Sequence, residues 1–300
     1  MPAVSTRSRS LFQGALLMFG MSSAVALDTA VVRLVVEELH PFEIAFFRTL
    51  FSLLFLLPWL WRGGLAALAT RRLPMHVVRA AGKLAALVAF FYAVSLMPLA
   101  EVTAVMFAMP LFAAIGAWMF LGEAMRPVRL TATLLGFAGV LVVVRPGTDL
   151  FGIGAFAAVG AALGLASVAL IVKYLARFER SRTIVFWNFL VMTPMAALIA
   201  IPVWQWPSWT ALAWLILQGL LGMVAQLCFA RAVQLGDAST LMPLDFLRLP
   251  IVAGIAYLAF GEIPGLWTWL GAGVIFAATV VLLRDEARSG APIDSRGSGC

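Results

Sequence analysis

Apolar residues run along this chain in stretches of about twenty, separated by short polar gaps. Roughly twenty apolar residues span a bilayer as a helix. The runs at 11–32, 42–61, 76–96, 99–121, 128–145, 152–173, 183–203, 209–232, 238–260 and 264–284 therefore predict ten spanning helices. The second five echo the first. Ala93-Val94 and Leu96 return 139 positions later as Ala232-Val233 and Leu235, and Gly122-Glu123 returns as Gly261-Glu262. Pro110 returns as Pro250, one position out of step. Upstream the offset is 140: Arg33 matches Lys173, Ile44 matches Ile184, Phe46 matches Phe186, and Arg48 matches Asn188. An echo of this length at a fixed offset is a duplicated structural unit. Each unit holds an odd number of spans, so the second enters the membrane upside down. Inverted repeats are the architecture of alternating-access transporters, with the binding site near mid-membrane between the halves. The predicted fold is thus an all-α membrane protein, ten transmembrane helices as two inverted five-helix repeats around a central cavity. Residues 1–10 form a basic arm, 11–147 and 148–284 the repeats, and 285–300 a disordered tail.

Composition agrees with lipid as the solvent. Of 300 residues, 63% are hydrophobic and 12% charged, with mean hydropathy +1.02; soluble domains carry about 25% charged residues. A net charge of +7 raises the question of nucleic acid, but the basic residues sit in the gaps between apolar runs, which is a topology signal. Arg33 and Arg145 fall on one side and Arg48 and Arg248 within spans; the other seventeen of the 21 Lys and Arg share the opposite side. Both termini are therefore expected in the cytoplasm, at the inner or plasma membrane. The first run, from Leu11, has no clean small-residue cleavage site before Asp28, so no signal peptide is expected. Two cysteines and the widely separated His40 and His76 predict neither a disulfide framework nor a metal site. No Gly-rich turn leads into Lys-Ser or Lys-Thr, so no phosphate loop is present, and no nucleophile–base cluster suggests an enzyme. No cofactor is expected. The expected partners are a small-molecule substrate and the bilayer, with the protein a monomer or homodimer.

The ten spans in two repeats, the Arg within the second span and the Gly-Glu stop after the fourth and ninth resemble the drug/metabolite transporter superfamily, in particular its EamA-type branch. That branch places small residues nine and sixteen positions after the Glu; here they are Ala132 and Gly139, then Gly271 and Ala278. Ala132 stands where Gly is usual, and Asn188 where the seventh span would carry Arg. The resemblance covers about residues 11–284. It implies that the fifth and tenth spans sit at the periphery and that a cavity lies among spans one to four and six to nine. The aromatic spans are most similar to bacterial exporters of aromatic amino acids and methyl viologen, which makes an exported aromatic or apolar amino acid the expected substrate. Uptake or exchange of a nucleotide-like or quaternary-cation solute, such as S-adenosylmethionine, is the alternative. A membrane scaffold is the non-transporting one.

Ionisable groups inside spans are costly and mark sites or pairs. Arg48 reads either as a fork for a substrate carboxylate or as an ion pair joining helices. Asp245 and Arg248, three apart, share a helix face and can pair. Lys83 lies on the cavity or reaches to the basic side. Asp28 is a candidate proton carrier, or else a solvated outer-end residue; Glu43 and Glu101 are expected to be solvated. Lys83, Leu87, Phe90 and Val94 form a stripe whose repeat mates are Gly222, Gln226, Phe229 and Val233, with Gln218 one turn before. Lipid would penalise both glutamines, so this stripe is expected to face the cavity or to bridge helices. Phe90, Tyr92, Phe107, Trp187 and Phe229 with Met106 and Met109 would line an apolar pocket. Met18 and Met21 share a stripe with Val25 and Asp28. Pro110 and Pro250 are expected as gating hinges or static kinks, and Gly160 and Gly164 as a close helix contact.

Overall fold

A bilayer core offers no hydrogen-bond partner, so an apolar segment there must pair its own backbone, and a helix does so locally. The computed structural model describes residues 2–63, 68–121, 127–145, 152–175, 178–179, 181–235, 245 and 248–289. Among these, regular structure is helical throughout. In chain order the helices are α1 (Pro2–Val35), α2 (Pro41–Gly63), α3 (Leu73–Leu96), α4 (Leu99–Met106), α5 (Met109–Leu121), α6 (Pro127–Val144), α7 (Ile153–Leu175), α8 (Ser181–Ala200), α9 (Trp209–Leu235), α10 (Arg248–Phe260) and α11 (Leu266–Ser289). Six stretches within them are long and apolar enough to cross a membrane, and four further apolar helices are shorter. Several starts are dictated locally. Pro41 and Pro127 open α2 and α6, where the missing N–H costs nothing. Ser208 caps α9, its Oγ accepting from the Ala211 N–H at 3.1 Å.

Large apolar side chains are exposed and charged ones buried, beside a core that is itself mostly apolar. Leu16, Phe19, Leu27 and Leu34 of α1 are exposed, while Asp28, Glu43, Arg48, Arg79, Lys83, Asn188 and Gln218 are buried. A large apolar exterior around an interior that holds charged groups fits lipid as the surrounding medium.

Packing obeys the repeat. Helix α6 lies along α11 and α2 along α8, each joining a helix to its own mate. The contacts α1–α9 and α7–α3 are exchanged by the repeat operation, as are α2–α9 and α8–α3. Such pairing is two-fold, and a two-fold that exchanges five-span units reverses their direction through the membrane. The small positions explain the α6–α11 pair. A Cβ on Gly139 would stand 2.9 Å from the Gly271 carbonyl oxygen, and one on Gly271 would stand 2.7 Å from that of Gly139. Ala132 and Ala278, a heptad away on each helix, are buried beside them. Gly164 meets Ala86 of α3 in the same way, at 2.8 Å, but Gly160 faces open space, so only one of the two makes the expected contact.

The Gly-Glu stop acquires a reason at its second copy. Gly261 ends α10 in the left-handed region, φ 66°, which glycine adopts without penalty. The turn delivers Glu262 to the opposite repeat. Its Oε2 accepts from the Leu99 N–H at the start of α4, 3.0 Å away, and its Oε1 lies 3.5 Å from Arg33. Gly122 and Glu123 lie outside the described residues.

Three expectations change. The fourth span is broken rather than kinked: α4 stops at Met106, Phe107–Ala108 form a turn, and Pro110 stands second in α5. A proline tolerated in a first turn starts a helix instead of bending one; Pro250 is likewise third in α10. At the termini, α1 already begins at Pro2, so the basic arm is helical, and α11 runs to Ser289, five residues into the expected disordered tail. Residues 290–300 and the first half of the ninth span, 238–244, lie outside the described residues.

Candidate functional site

Helices α1 and α2 are joined by a short turn, so residues at equal distance from it lie at equal depth. Asp28 is seven residues before the last of α1, and Arg48 is seven after the first of α2. At 1.5 Å per residue both sit ~10 Å along their helices. The side chains meet there: Arg48 donates from Nε to Asp28 Oδ1 at 3.3 Å and from Nη2 to Oδ2 at 3.0 Å, both groups buried. This bidentate pair satisfies the interhelical reading of Arg48, and it replaces the solvated outer-end reading of Asp28. Glu43 and Glu101 are not solvated either. Glu43, wholly buried, accepts from the backbone N–H groups of His40 and Gln205. Glu101 pairs with Arg145 at 3.3 Å.

The pair is flanked by more charge and by unpaired polar atoms. Arg48 lies against Gly222 of α9, where a Cβ would come within 2.9 Å of Nη2, so this glycine makes room for the guanidinium. Nη1 of Arg48 has no hydrogen-bond partner. Lys83 of α3 is buried, with Nζ 5.9 Å from the centre of the Phe189 ring, and it is within electrostatic reach of Arg79, Arg48 and Asp28. Arg79, also buried, donates to the Ile184 carbonyl at 2.8 Å, and its Nε is unpaired. One turn before Gly222, Gln218 is fully buried with neither Oε1 nor Nε2 bonded. Asn188, the repeat mate of Arg48, is buried with Oδ1 unpaired. Orphan groups of this kind each cost about 1–3 kcal/mol and are uncommon in folded proteins.

A second polar node lies further along α1. Ser22, fully buried, donates to Asp245 Oδ1 at 3.2 Å, and Asp245 approaches Arg248 to 3.7 Å. The Arg248 guanidinium stands 5.0 Å from the ring centre of Phe107, in the break of the fourth span. Met106 and Phe107 are buried here and Met109 half-buried. Phe229 packs with Met18 and Met21 of α1, and Gln226 is half-buried one turn beyond Gly222. Phe90 is half-buried against Phe91, their centroids 5.9 Å apart.

Two expected site residues lie elsewhere. Tyr92 is nine residues from Lys83, half a turn round α3, and is 41% exposed on the opposite face. Trp187, the seventh residue of α8, is engaged with α3 and the segment before it: Nε1 donates to the Leu68 carbonyl at 3.0 Å and the ring stacks on His76 at 6.0 Å.

Both ends of the bundle are tied between repeats. At the end carrying most Lys and Arg, His76 Nε2 contacts Glu179 Oε2 at 2.7 Å, Thr70 donates to the same carboxylate, and Arg72 donates to the Tyr174 hydroxyl at 2.6 Å with its guanidinium over the Phe178 ring. At the arginine-poor end the ties are Arg33–Glu262 and Glu38 to Ser208. The sequence reading missed His76 and Arg79 as buried groups. Their spacing of three and seven from His76 to Arg79 and Lys83 is a helical stripe, a signal that was available.

Known proteins match along most of the chain. Residues 12–145 and 152–284 each match the EamA-like transporter family. A riboflavin transporter of Rhizobium johnstonii is 34% identical over 245 residues, 81% of each chain. A riboflavin transporter of Vibrio cholerae is 30% identical over 282 residues, 92% of this chain and 94% of that one. An S-adenosylmethionine uptake transporter of Rickettsia felis is 32% identical over 252 residues, 84% of this chain and 86% of that one. A crystal structure of another protein superposes with TM-score 0.65 over 95% of this chain and 99% of that one, at 18% identity, which speaks to the fold alone.

Proposed function

From the premise that the chain belongs to the EamA-like transporter family, and so moves small molecules across a membrane, we propose that its substrate is riboflavin or a closely similar flat nitrogen heterocycle. The observation that carries this reading is the end-to-end similarity to a protein named for riboflavin, over 92% of this chain. It moves the nucleotide-like alternative ahead of amino-acid export, which rested on the aromatic content of the spans. Arg48 already has its counter-charge in Asp28, so a substrate need not supply an anion.

In this reading transport is secondary and proceeds by alternating access. The two repeats rock about the Asp28–Arg48 level, breaking the His76–Glu179 tie in one state and the Arg33–Glu262 tie in the other. The broken fourth span, with Pro110 at the start of α5, supplies the hinge. The basic end faces the cytoplasm of the inner membrane, following the distribution of Lys and Arg.

The test is uptake in proteoliposomes loaded in turn with unlabelled riboflavin, S-adenosylmethionine or phenylalanine and given the matching labelled solute outside. Riboflavin counterflow above protein-free vesicles is the expected result. Counterflow of phenylalanine alone returns amino-acid export to first place and overturns the proposal.

A further inference from the structure

Among the described residues, Gln218 is a buried side chain with two hydrogen-bonding atoms unpartnered. It is fully buried near the middle of α9, and neither its carbonyl oxygen nor its amide nitrogen has a partner. One turn along the same face, Gly222 receives the Arg48 guanidinium, whose Nη1 is also buried and unpaired. Residues four apart on a helix are neighbours, so three hydrogen-bonding atoms without partners belong to groups at neighbouring positions on one side of α9. They are two donors, Gln218 Nε2 and Arg48 Nη1, and one acceptor, Gln218 Oε1. Helices α1 and α2 both pack against α9. The backbone beside Gln218 is fixed as well: Ser52 Oγ donates to the Gly219 carbonyl at 2.7 Å.

We propose that Gln218 and Arg48 Nη1 together read the acceptor–donor–acceptor edge of a cyclic imide, the edge that the flavin ring presents through its two carbonyls and the N3–H between them. Gln218 Oε1 accepts from N3–H, Gln218 Nε2 donates to one carbonyl, and Arg48 Nη1 donates to the other. Asp28 holds the guanidinium in orientation and cancels its charge, so the donor serves a neutral ring. The adenine of S-adenosylmethionine offers an adjacent donor and acceptor and engages Gln218 alone, as glutamine pairs with adenine in nucleic-acid recognition. The side chain of phenylalanine has no such edge. The inference rests on the riboflavin reading above and assigns the residues that would give it specificity.

The experiment compares riboflavin with N3-methylriboflavin, which lacks the donor, in wild-type protein and in Gln218→Met, which keeps length and loses both polar atoms. Wild type is expected to favour riboflavin in kcat/KM by about 5- to 150-fold, the range for one bidentate pair. Gln218→Met is expected to handle both flavins at the level of the methylated one while remaining monodisperse. Equal transport of the two flavins by wild type overturns the inference, and so does a preference retained in Gln218→Met. If that variant does not fold, Gln218→Asn replaces it. Withdrawing the amide by one methylene is expected to abolish the preference, and a retained preference again overturns the inference. Wild type that moves neither flavin overturns the riboflavin reading instead, a result distinguishable because it needs no variant.

Discussion

At the scale of the residue, the Asp28–Arg48 pair sets the energetics of the interior. Removing one member of a buried pair strands the other, at a cost of about 3–5 kcal/mol. Asp28→Asn is therefore expected to lower the melting temperature in detergent sharply, and Asp28→Asn with Arg48→Gln to recover part of the loss; a double variant as unstable as both losses combined would contradict the pairing. Lys83 makes the opposite prediction. It is a buried cation within reach of two other cations and one carboxylate, and that carboxylate is already held by Arg48. Lys83→Met should raise the melting temperature, whereas a fall would show that the ammonium is paired. Individual residues were only partly legible in the sequence. Charges inside spans announced themselves, and Asp245 with Arg248 followed from helical spacing. The partner of Arg48 did not, because pairing across two helices requires their depths to be compared, and here the equal count on either side of the α1–α2 turn held that information. Tyr92 was grouped with the other aromatics of the pocket, although half a turn of helix separates it from Lys83.

At the scale of the element, small residues and turns decide how helices meet. Gly139→Ala or Gly271→Ala drives a methyl group into the facing backbone and should cost about 1–3 kcal/mol, the range for overpacking, seen as a lower melting temperature and a lower yield of folded protein. An unchanged melting temperature would mean that α6 and α11 do not touch at these positions. Glu262 joins Gly261 to the start of α4, so Glu262→Ala should cost about 0.5–2 kcal/mol, as loss of a helix cap does. In the sequence repeat Glu123 is the counterpart of Glu262. Glu123→Ala should match Glu262→Ala in thermal stability, and a silent Glu123→Ala would break the symmetry argument. Most helices were legible because apolar length in lipid leaves the backbone one local solution. The break at Phe107–Ala108 was not. Proline announces that a helix is interrupted, but whether the chain bends or restarts depends on how the backbone groups around the interruption are paired, and here a turn pairs part of them, the Ala108 N–H donating to the Val105 carbonyl at 2.9 Å.

At the scale of the whole molecule, duplication carries the account. An echo at a fixed offset with an odd number of spans dictated inversion, and the exchange of α1–α9 with α7–α3 matches it in three dimensions. What a single sequence could not supply was the substrate, since the aromatic residues that suggested an amino acid are equally at home against lipid. The central claim is that the two repeats move against each other about a polar centre, opening one end as the other closes. Electron–electron spin distances test it most directly. In a background lacking Cys228 and Cys300, one label pair at Glu37 and Ile263 spans the arginine-poor end, and a second at Ala69 and Phe178 spans the basic end. Adding riboflavin to protein in nanodiscs is predicted to shift both distributions in opposite senses, one pair lengthening as the other shortens. Distributions that stay fixed at both ends in protein that binds and transports the flavin, or that widen together, would contradict the account.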